Sequence, residues 1–130
     1  NTIYFRAIDI RWHLNVGLGE AAKRNVGSDI NQIPDMSAFS SGLSRTGWQK
    51  IAGGLILQWG YAPVPAGSAT GKVQFPVVFP KDIFAILVTD TGAACLSYGT
   101  TDRNNAGFTV ARLTSTSNGS VNGFYLALGI

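Results

Sequence analysis

One cysteine, one histidine and a charged fraction of only 13% leave this 130-residue sequence few routes to chemistry. Cys95 has no partner for an intrachain disulfide and cannot build a cysteine zinc site within one chain, so the expectation is a buried structural thiol, mid-strand in "AACLSY". His13, in "RWHLN", has no companion residues for a metal site and lies in no Ser or Cys nucleophile motif, which leaves packing or hydrogen bonding of its imidazole. No metal and no cofactor are expected. No apolar run reaches the roughly 18 to 20 residues that cross a bilayer as a helix. The N-terminus also lacks the charged-then-apolar pattern of a signal peptide, so no membrane insertion is expected. A chain that starts at Asn1 rather than at methionine reads as a piece of something longer.

Charge of either sign is thinly spread. Ten basic residues against seven acidic ones give a formal net charge of +3, yet no basic run is longer than Lys23-Arg24. A nucleic-acid surface needs clustered cations with interleaved stacking aromatics, so no nucleic-acid partner is expected. Glycoside hydrolysis needs two carboxylates flanking a cleft. From Asp9, Glu20, Asp29, Asp35, Asp82, Asp90 and Asp102, only Asp90 and Asp102 fall near candidate loops. The chain is not expected to be an enzyme.

What the sequence has in quantity is hydrophobic residues, at 45%, and glycine, 16 in all. A chain of this length supports one domain with a modest core, and so few charges predict that surface is hidden by oligomerisation. Apolar residues recur with period two in "GGLILQWGY" (Leu55, Leu57, Trp59, Tyr61), "KVQFPVVF" (Val73, Phe75, Val77, Phe79) and "NGFYLALGI" (Phe124, Leu126, Leu128, Ile130). Further strands fit 83–90, 94–99 and 107–114, separated by "TGA", "TTDRNNA" and "STSNGS". The fold expected is an all-β antiparallel sandwich of about six strands. Pro76 marks an edge or a bulge in its strand. In the 83–88 strand, Phe84, Ile86 and Val88 line one face and Ile83, Ala85 and Leu87 the other, which predicts cover on both sides, one of them a subunit interface.

Residues 1–47 differ in kind and read as an extended, glycine-rich connector, with the sandwich domain at 48–130. "YFRAIDIRWHLN" fits a strand or a short helix, and both readings stay open. Gly17, Gly19 and Ala22 have the G-x-G-x-x-A spacing of a dinucleotide loop. A short "EAAKR" turn follows in place of a β-α-β unit, so these glycines serve backbone turns. A segment of this length with one helical turn predicts ordering by neighbouring chains. Asp35 reads as a turn or cap residue after Pro34.

"GLGEAAKRNVGSDINQIPDMSAF" resembles the segment near the ends of bacteriophage tail fibres. "GWQKIAGGLILQWG", "VQFPVVFP" and the closing "FYLALGI" are similar to the signature strands of the family's C-terminal tip domain. Together these stretches cover residues 17–80 and the last seven, in the right order. The resemblance implies an intertwined homotrimeric β-sandwich tip on the fibre of a contractile, Mu-like tailed phage. It further implies adsorption to a cell-surface glycan, most often the lipopolysaccharide of a Gram-negative host. Assembly would take place in the host cytoplasm with a tail-fibre assembly chaperone, and the fibre tip would act at the outer surface of the bacterium. Depolymerising tail enzymes of phages resemble long β-helices, for which this chain is too short; a trimerisation cap without receptor contact is the competing role.

Sugar hydroxyls need amide, carboxylate or guanidinium groups, and the apolar side of a sugar ring needs an aromatic face. "YGTTDRNNAG" supplies Tyr98, Asp102, Arg103, Asn104 and Asn105 within eight residues, and Arg103 suits a phosphate or acidic sugar. Ser117, Asn118 and Ser120, and Ser68 with Thr70, form two secondary candidate loops. Trp48 and Trp59 are expected in the core or an interface, and Trp12 along the threefold axis or against a neighbouring chain.

Overall fold

Residues 17–112 and 119–130 are described in the computed structural model, and the chain divides into two units, Asn1–Ala38 and Phe39–Ile130. Trp12, His13 and the strand-or-helix alternative over residues 4–15 lie outside the described residues, as do Ser117 and Asn118. Among the described residues no helix is long and apolar enough to cross a membrane.

In the first unit the "EAAK" stretch, Glu20–Lys23, forms a single 3-10 turn in which Gly19 supplies the carbonyl bonded by the Ala22 N–H at 3.1 Å. Gly17 takes a left-handed φ of 58°, a conformation that costs glycine nothing. One parallel bridge, Val26 to Ile33, follows. Asp35 accepts hydrogen bonds from both the N–H and the hydroxyl of Ser37, the turn role expected of it. Those bonds to Ser37 hold its carboxyl below the usual range. None of the described residues of this unit is buried.

The described residues of the second unit form eight strands: β1 (Ser41–Gly42), β2 (Gly47–Lys50), β3 (Ile56–Val64), β4 (Thr70–Gln74), β5 (Ile83–Asp90), β6 (Tyr98–Asn104), β7 (Gly107–Arg112) and β8 (Val121–Gly129). They form two sheets, β1-β2-β3-β8-β5 and β4-β7-β6, and every pairing is antiparallel. The antiparallel sandwich expected from the sequence is what forms. The boundary expected between residues 47 and 48 falls inside β2, because residues 41–50 pair as the outer hairpin of the larger sheet. The turn between β2 and β3 is made by Gly53 and Gly54, with φ of 100° and 98°, which explains the G-G pair of "KIAGGL".

The core lies between the sheets. Ile56, Ala62, Val64, Tyr125 and Ala127 from the larger sheet meet Val73, Phe75, Phe79, Phe108 and Val110. Phe75 stands 5.1 Å edge-on to Phe79, and Phe108 stands 5.4 Å edge-on to Tyr125, the geometry aromatic quadrupoles favour. Gly60 lets Tyr125 lie flat on β3: a Cβ there would come within 2.9 Å of the ring.

The period-two row Val73, Phe75, Val77, Phe79 does face inward, but only its first member lies in a strand. β4, an edge strand, stops at Gln74 before Pro76, whose missing N–H ends the ladder. The chain beyond is held by a side chain instead. Fully buried Gln58 donates from Nε2 to the Val77 carbonyl at 2.8 Å, and its Oε1 accepts the Val77 N–H at 3.0 Å. Gln58 thus imitates a strand partner and joins the two layers.

Two strand expectations are corrected. Residues 94–97 are not strand: β6 begins at Tyr98, and Cys95 sits in the β5–β6 loop, exposed, with a φ of 55°. The thiol is therefore no buried structural group. In β5, a register shift between Ile83 and Ala85 makes Phe84 a bulge residue. Ile83, Ile86 and Val88 turn to the core, while Phe84 leaves the row in which alternation had placed it.

The outer face of the larger sheet is apolar. Cross-strand rows run Leu57–Leu128–Ala85, Trp59–Leu126–Leu87 and Tyr61–Phe124–Thr89. Tyr61, Phe124, Leu126 and Leu87 keep 36%, 48%, 39% and 62% of their surface exposed. Trp59 is half-buried, its indole N–H donated to the Ser44 carbonyl at 2.8 Å, and Trp48, also half-buried, has the Lys50 ammonium 5.8 Å from its ring centre.

Candidate functional site

The stretch 98–105, expected as a loop, is mostly strand β6, and only Asn105 and Ala106 form the turn into β7. The short turn is stabilised by Asn104, whose Oδ1 accepts the N–H groups of Ala106 at 2.9 Å and Gly107 at 3.2 Å. Gly107 then passes so close to β4 that a Cβ would lie 2.1 Å from the Val73 carbonyl oxygen. The hairpin tip is clamped onto the segment after β4: Phe75 N–H donates to the Ala106 carbonyl and Phe79 N–H to that of Asn105, both at 2.9 Å. Asn105 Nδ2 adds a bond to the Lys81 carbonyl at 3.2 Å.

A second irregularity shapes the hairpin. The register shifts between Thr101 and Asn104, and Asp102 takes a φ of 48°. This bulge turns successive side chains to different sides. Arg103 Nη1 donates to the carbonyl and the hydroxyl of Thr100 at 2.9 and 3.0 Å, which fixes the guanidinium beside its own strand.

Two clefts result, one on each side of the hairpin. A cleft of about 630 Å³ on the outer face of the smaller sheet is lined by Lys72, Gln74, Asp102, Asn104 and Thr109. Another of about 510 Å³, between β5 and the hairpin, is lined by Asp82, Phe84, Thr100, Arg103, Asn104 and Asn105. Four of the sequence-predicted residues are thereby divided, Asp102 to the first, Arg103 and Asn105 to the second, and Asn104 shared.

Tyr98 does not join them. It sits at the start of β6, packed against the core, with its hydroxyl donated to the Asn122 carbonyl at 3.0 Å and to Asp90 Oδ1 at 3.4 Å. Desolvation first, and the Asp90 charge second, push its hydroxyl above the usual tyrosine value. Asp90 also accepts the Leu96 N–H at 3.1 Å, the bond that lowers its carboxyl most. Asp90 and Tyr98 are accordingly loop anchors, and Asp90 and Asp102 line different clefts. Among the described residues no three His, Cys, Asp or Glu side chains group as a metal site would require. Of the secondary loops, Ser68 closes its own turn by donating its hydroxyl to the Thr70 carbonyl at 2.8 Å, and Ser120 lines a third cleft with Pro65, Asp90 and Thr91.

Asp82, Phe84 and Lys72 were not singled out as site residues by sequence reasoning. Phe84 reads as one more apolar residue of "IFAIL", and only the bulge turns it outward. Lys72 and Asp82 come from chain segments distant in sequence from the hairpin.

Solved structures share this fold. An N-truncated R2-type pyocin tail fiber is 23% identical, with a TM-score of 0.60 over 70% of this chain and 37% of that one. A fragment of the P. aeruginosa R2 pyocin fiber gives the same identity and TM-score over 25% of its length. An N-truncated R1-type pyocin tail fiber is 20% identical, with a TM-score of 0.55 over 70% of this chain and 84% of that one. The chain thus spans well under half of the R2 fibre structures it matches. No curated protein matches it. The family described as "Putative tail fiber protein gp53-like, C-terminal" matches residues 50–130, from the end of β2 through β8, and the chain belongs to that family of tail fibre C-terminal domains.

Proposed function

We propose that this domain is the non-enzymatic receptor-binding tip of a tail fibre, a homotrimer that adsorbs the particle to a cell-surface glycan, lipopolysaccharide of a Gram-negative host. The β6–β7 hairpin carries the reading. Its tip is held by main-chain bonds to the segment after β4, while Asp102, Arg103, Asn104 and Asn105 stand at the surface on two clefts. Asn104 and Asn105 also brace the turn, but Asp102 and the remaining guanidinium donors of Arg103 do no work for the fold, and hydroxyl-rich ligands take such groups. Three tips per fibre and several fibres per particle turn about millimolar single-site affinity into firm attachment through effective concentration.

The trimer rests on the apolar outer face of the larger sheet, which partner copies would cover. The exposed apolar residues of the N-terminal unit, Val26, Ile30 and Met36, fit the same intertwining. The fibre lies at the virion tail, assembled in the host cytoplasm with a tail-fibre assembly chaperone.

The test is a pull-down of the chain on whole Gram-negative cells and on their extracted lipopolysaccharide, with Arg103→Ala plus Asn105→Ala as the comparison. Loss of binding at unchanged assembly supports the hairpin. Retained binding moves the receptor site elsewhere, and no binding to any strain favours a trimerisation cap.

A further inference from the structure

The cleft between β5 and the hairpin lies where the two sheets open. β5 is the last strand of the larger sheet and β6 the last of the smaller, so among the described residues both edges are unpaired along this side of the sandwich. An edge strand that ends in a bulge re-aims one side chain, and here that side chain is Phe84, 58% exposed. A phenyl ring in that position contributes nothing to the core.

Beside Ile83, Ala85 and Ile86, the rest of the cleft carries polar groups held by hydrogen bonds. Asp82 is held by reciprocal backbone bonds with Ile130 at 2.9 Å, and its Oδ1 accepts the Ile83 N–H at 2.8 Å, leaving Oδ2 open. Opposite it, Arg103 is fixed through Nη1 alone, so Nε and Nη2 remain for a ligand. Asp82 and Arg103 line the same cleft without pairing: the sole ion pair among the described residues is Lys23–Glu20 at 3.2 Å. One open carboxylate oxygen, one open guanidinium edge and an aromatic face around about 510 Å³ match the hydroxyls and the C–H face of a sugar ring.

Resting on the receptor-tip reading, we infer that this cleft is a pyranose subsite in which Phe84 carries the apolar face of a neutral hexose while Asp82 and Arg103 hold its hydroxyls. The charge balance sets the ligand class. A phosphate or a sugar acid would gain Arg103 but meet Asp82, whereas a neutral ring uses both. Phe84, Asp82 and Arg103 are ligand-contacting residues, and Thr100 positions Arg103.

The probes are the methyl pyranosides of glucose, galactose and mannose, with glucose 1-phosphate as the anionic arm, read by saturation-transfer NMR on the full chain. At least one neutral glycoside should receive saturation on the C–H groups of one ring face, with affinity about tenfold weaker in Phe84→Ala. Phe84→Tyr should keep it, and Asp82→Asn should weaken it while improving binding of the phosphate. Binding of the phosphate alone, of no glycoside, or unchanged binding in Phe84→Ala would overturn the subsite. A lower oligomer mass for Phe84→Ala would do so too, by assigning the ring to an interface. Whole-cell adsorption separates the two readings: adsorption unaltered by Phe84→Ala sinks the subsite and leaves the receptor tip standing, and no adsorption by the wild type sinks the receptor tip itself.

Discussion

The two faces of the larger sheet are built in the opposite sense to an isolated sandwich. Toward the core its two central strands present Gly60, Ala62, Gly123, Ala127 and Gly129 beside Ile56, Gln58, Val64, Val121 and Tyr125, and β5 adds Ile83, Ile86 and Val88. Toward the outside it presents Leu57, Trp59, Tyr61, Phe124, Leu126, Leu128 and Leu87. Small inward residues at the centre of β3 and β8 let Phe75, Phe79 and Phe108 close against the sheet. The outer face has no such partner among the described residues of the unit. A sheet that carries large apolar residues on its exposed face as well as in its core has the composition of half an interface, and the proposed trimer would bury that face.

Breaking the outer face should have the largest effect. Leu126→Asp puts a charge at the centre of the Trp59–Leu126–Leu87 row. Its expected outcome is a fall in mass, by light scattering after gel filtration, from about three times 13.8 kDa to a monomer, with far-ultraviolet dichroism of the sandwich retained. Thr109→Asp, on the outer face of the smaller sheet, should leave the mass unchanged. If both variants keep the wild-type mass, the outer face is not where copies meet.

The inner face is tested at Gln58. Gln58→Leu keeps the volume but strands the N–H and carbonyl of Val77, at about 1–3 kcal/mol for each buried group left without a partner. Urea unfolding should show that loss at an unchanged m-value, and oligomer mass at low denaturant should stay the same. A loss below about 0.5 kcal/mol would mean that the two sheets hold the 75–79 segment without this side chain.

The contrast between the faces also explains how much was legible. Period two in "GGLILQWGY" and "NGFYLALGI" gave the strands, but the rows it picked out, Leu57–Trp59–Tyr61 and Phe124–Leu126–Leu128, are the outer ones. Hydrophobicity marks an apolar row without saying which neighbour covers it, and glycine and alanine on the opposite row carry no signal. The hairpin 98–105 was found as a cluster of polar residues. That Asp102 and Arg103 part to different clefts depends on a bulge at a φ of 48°, which no local pattern records. Cys95 was misplaced because "ACLSYG" alternates well enough for a strand, while Asp90, fixing the loop through Leu96 and Tyr98, delays β6 to residue 98.

The smallest effect is expected inside the core, at Tyr125, which with Asn122 is one of two described side chains that bury an unmatched polar atom. The Tyr125 hydroxyl is buried without a hydrogen-bond partner among the described residues, and burial pushes its pKa up to about 12. At neutral pH that hydroxyl costs stability, so Tyr125→Phe should raise the unfolding free energy by ~1 kcal/mol while the ring keeps its contacts with Phe75 and Phe108. The pH dependence has a definite sign. An unfolded tyrosine releases its proton near its ordinary value of 10.0, whereas Tyr125 in the fold holds it to about 12. The stability linked to the neutral phenol is therefore complete below pH 10 and lost as pH rises to about 12. The phenylalanine variant lacks this loss, so its advantage in thermal midpoint should widen across that interval. Tyr98 is present in both proteins, so its raised value cancels in the difference. An advantage that stays flat from pH 9 to 12 would mean the hydroxyl reaches water, and would place the unmatched group outside the core.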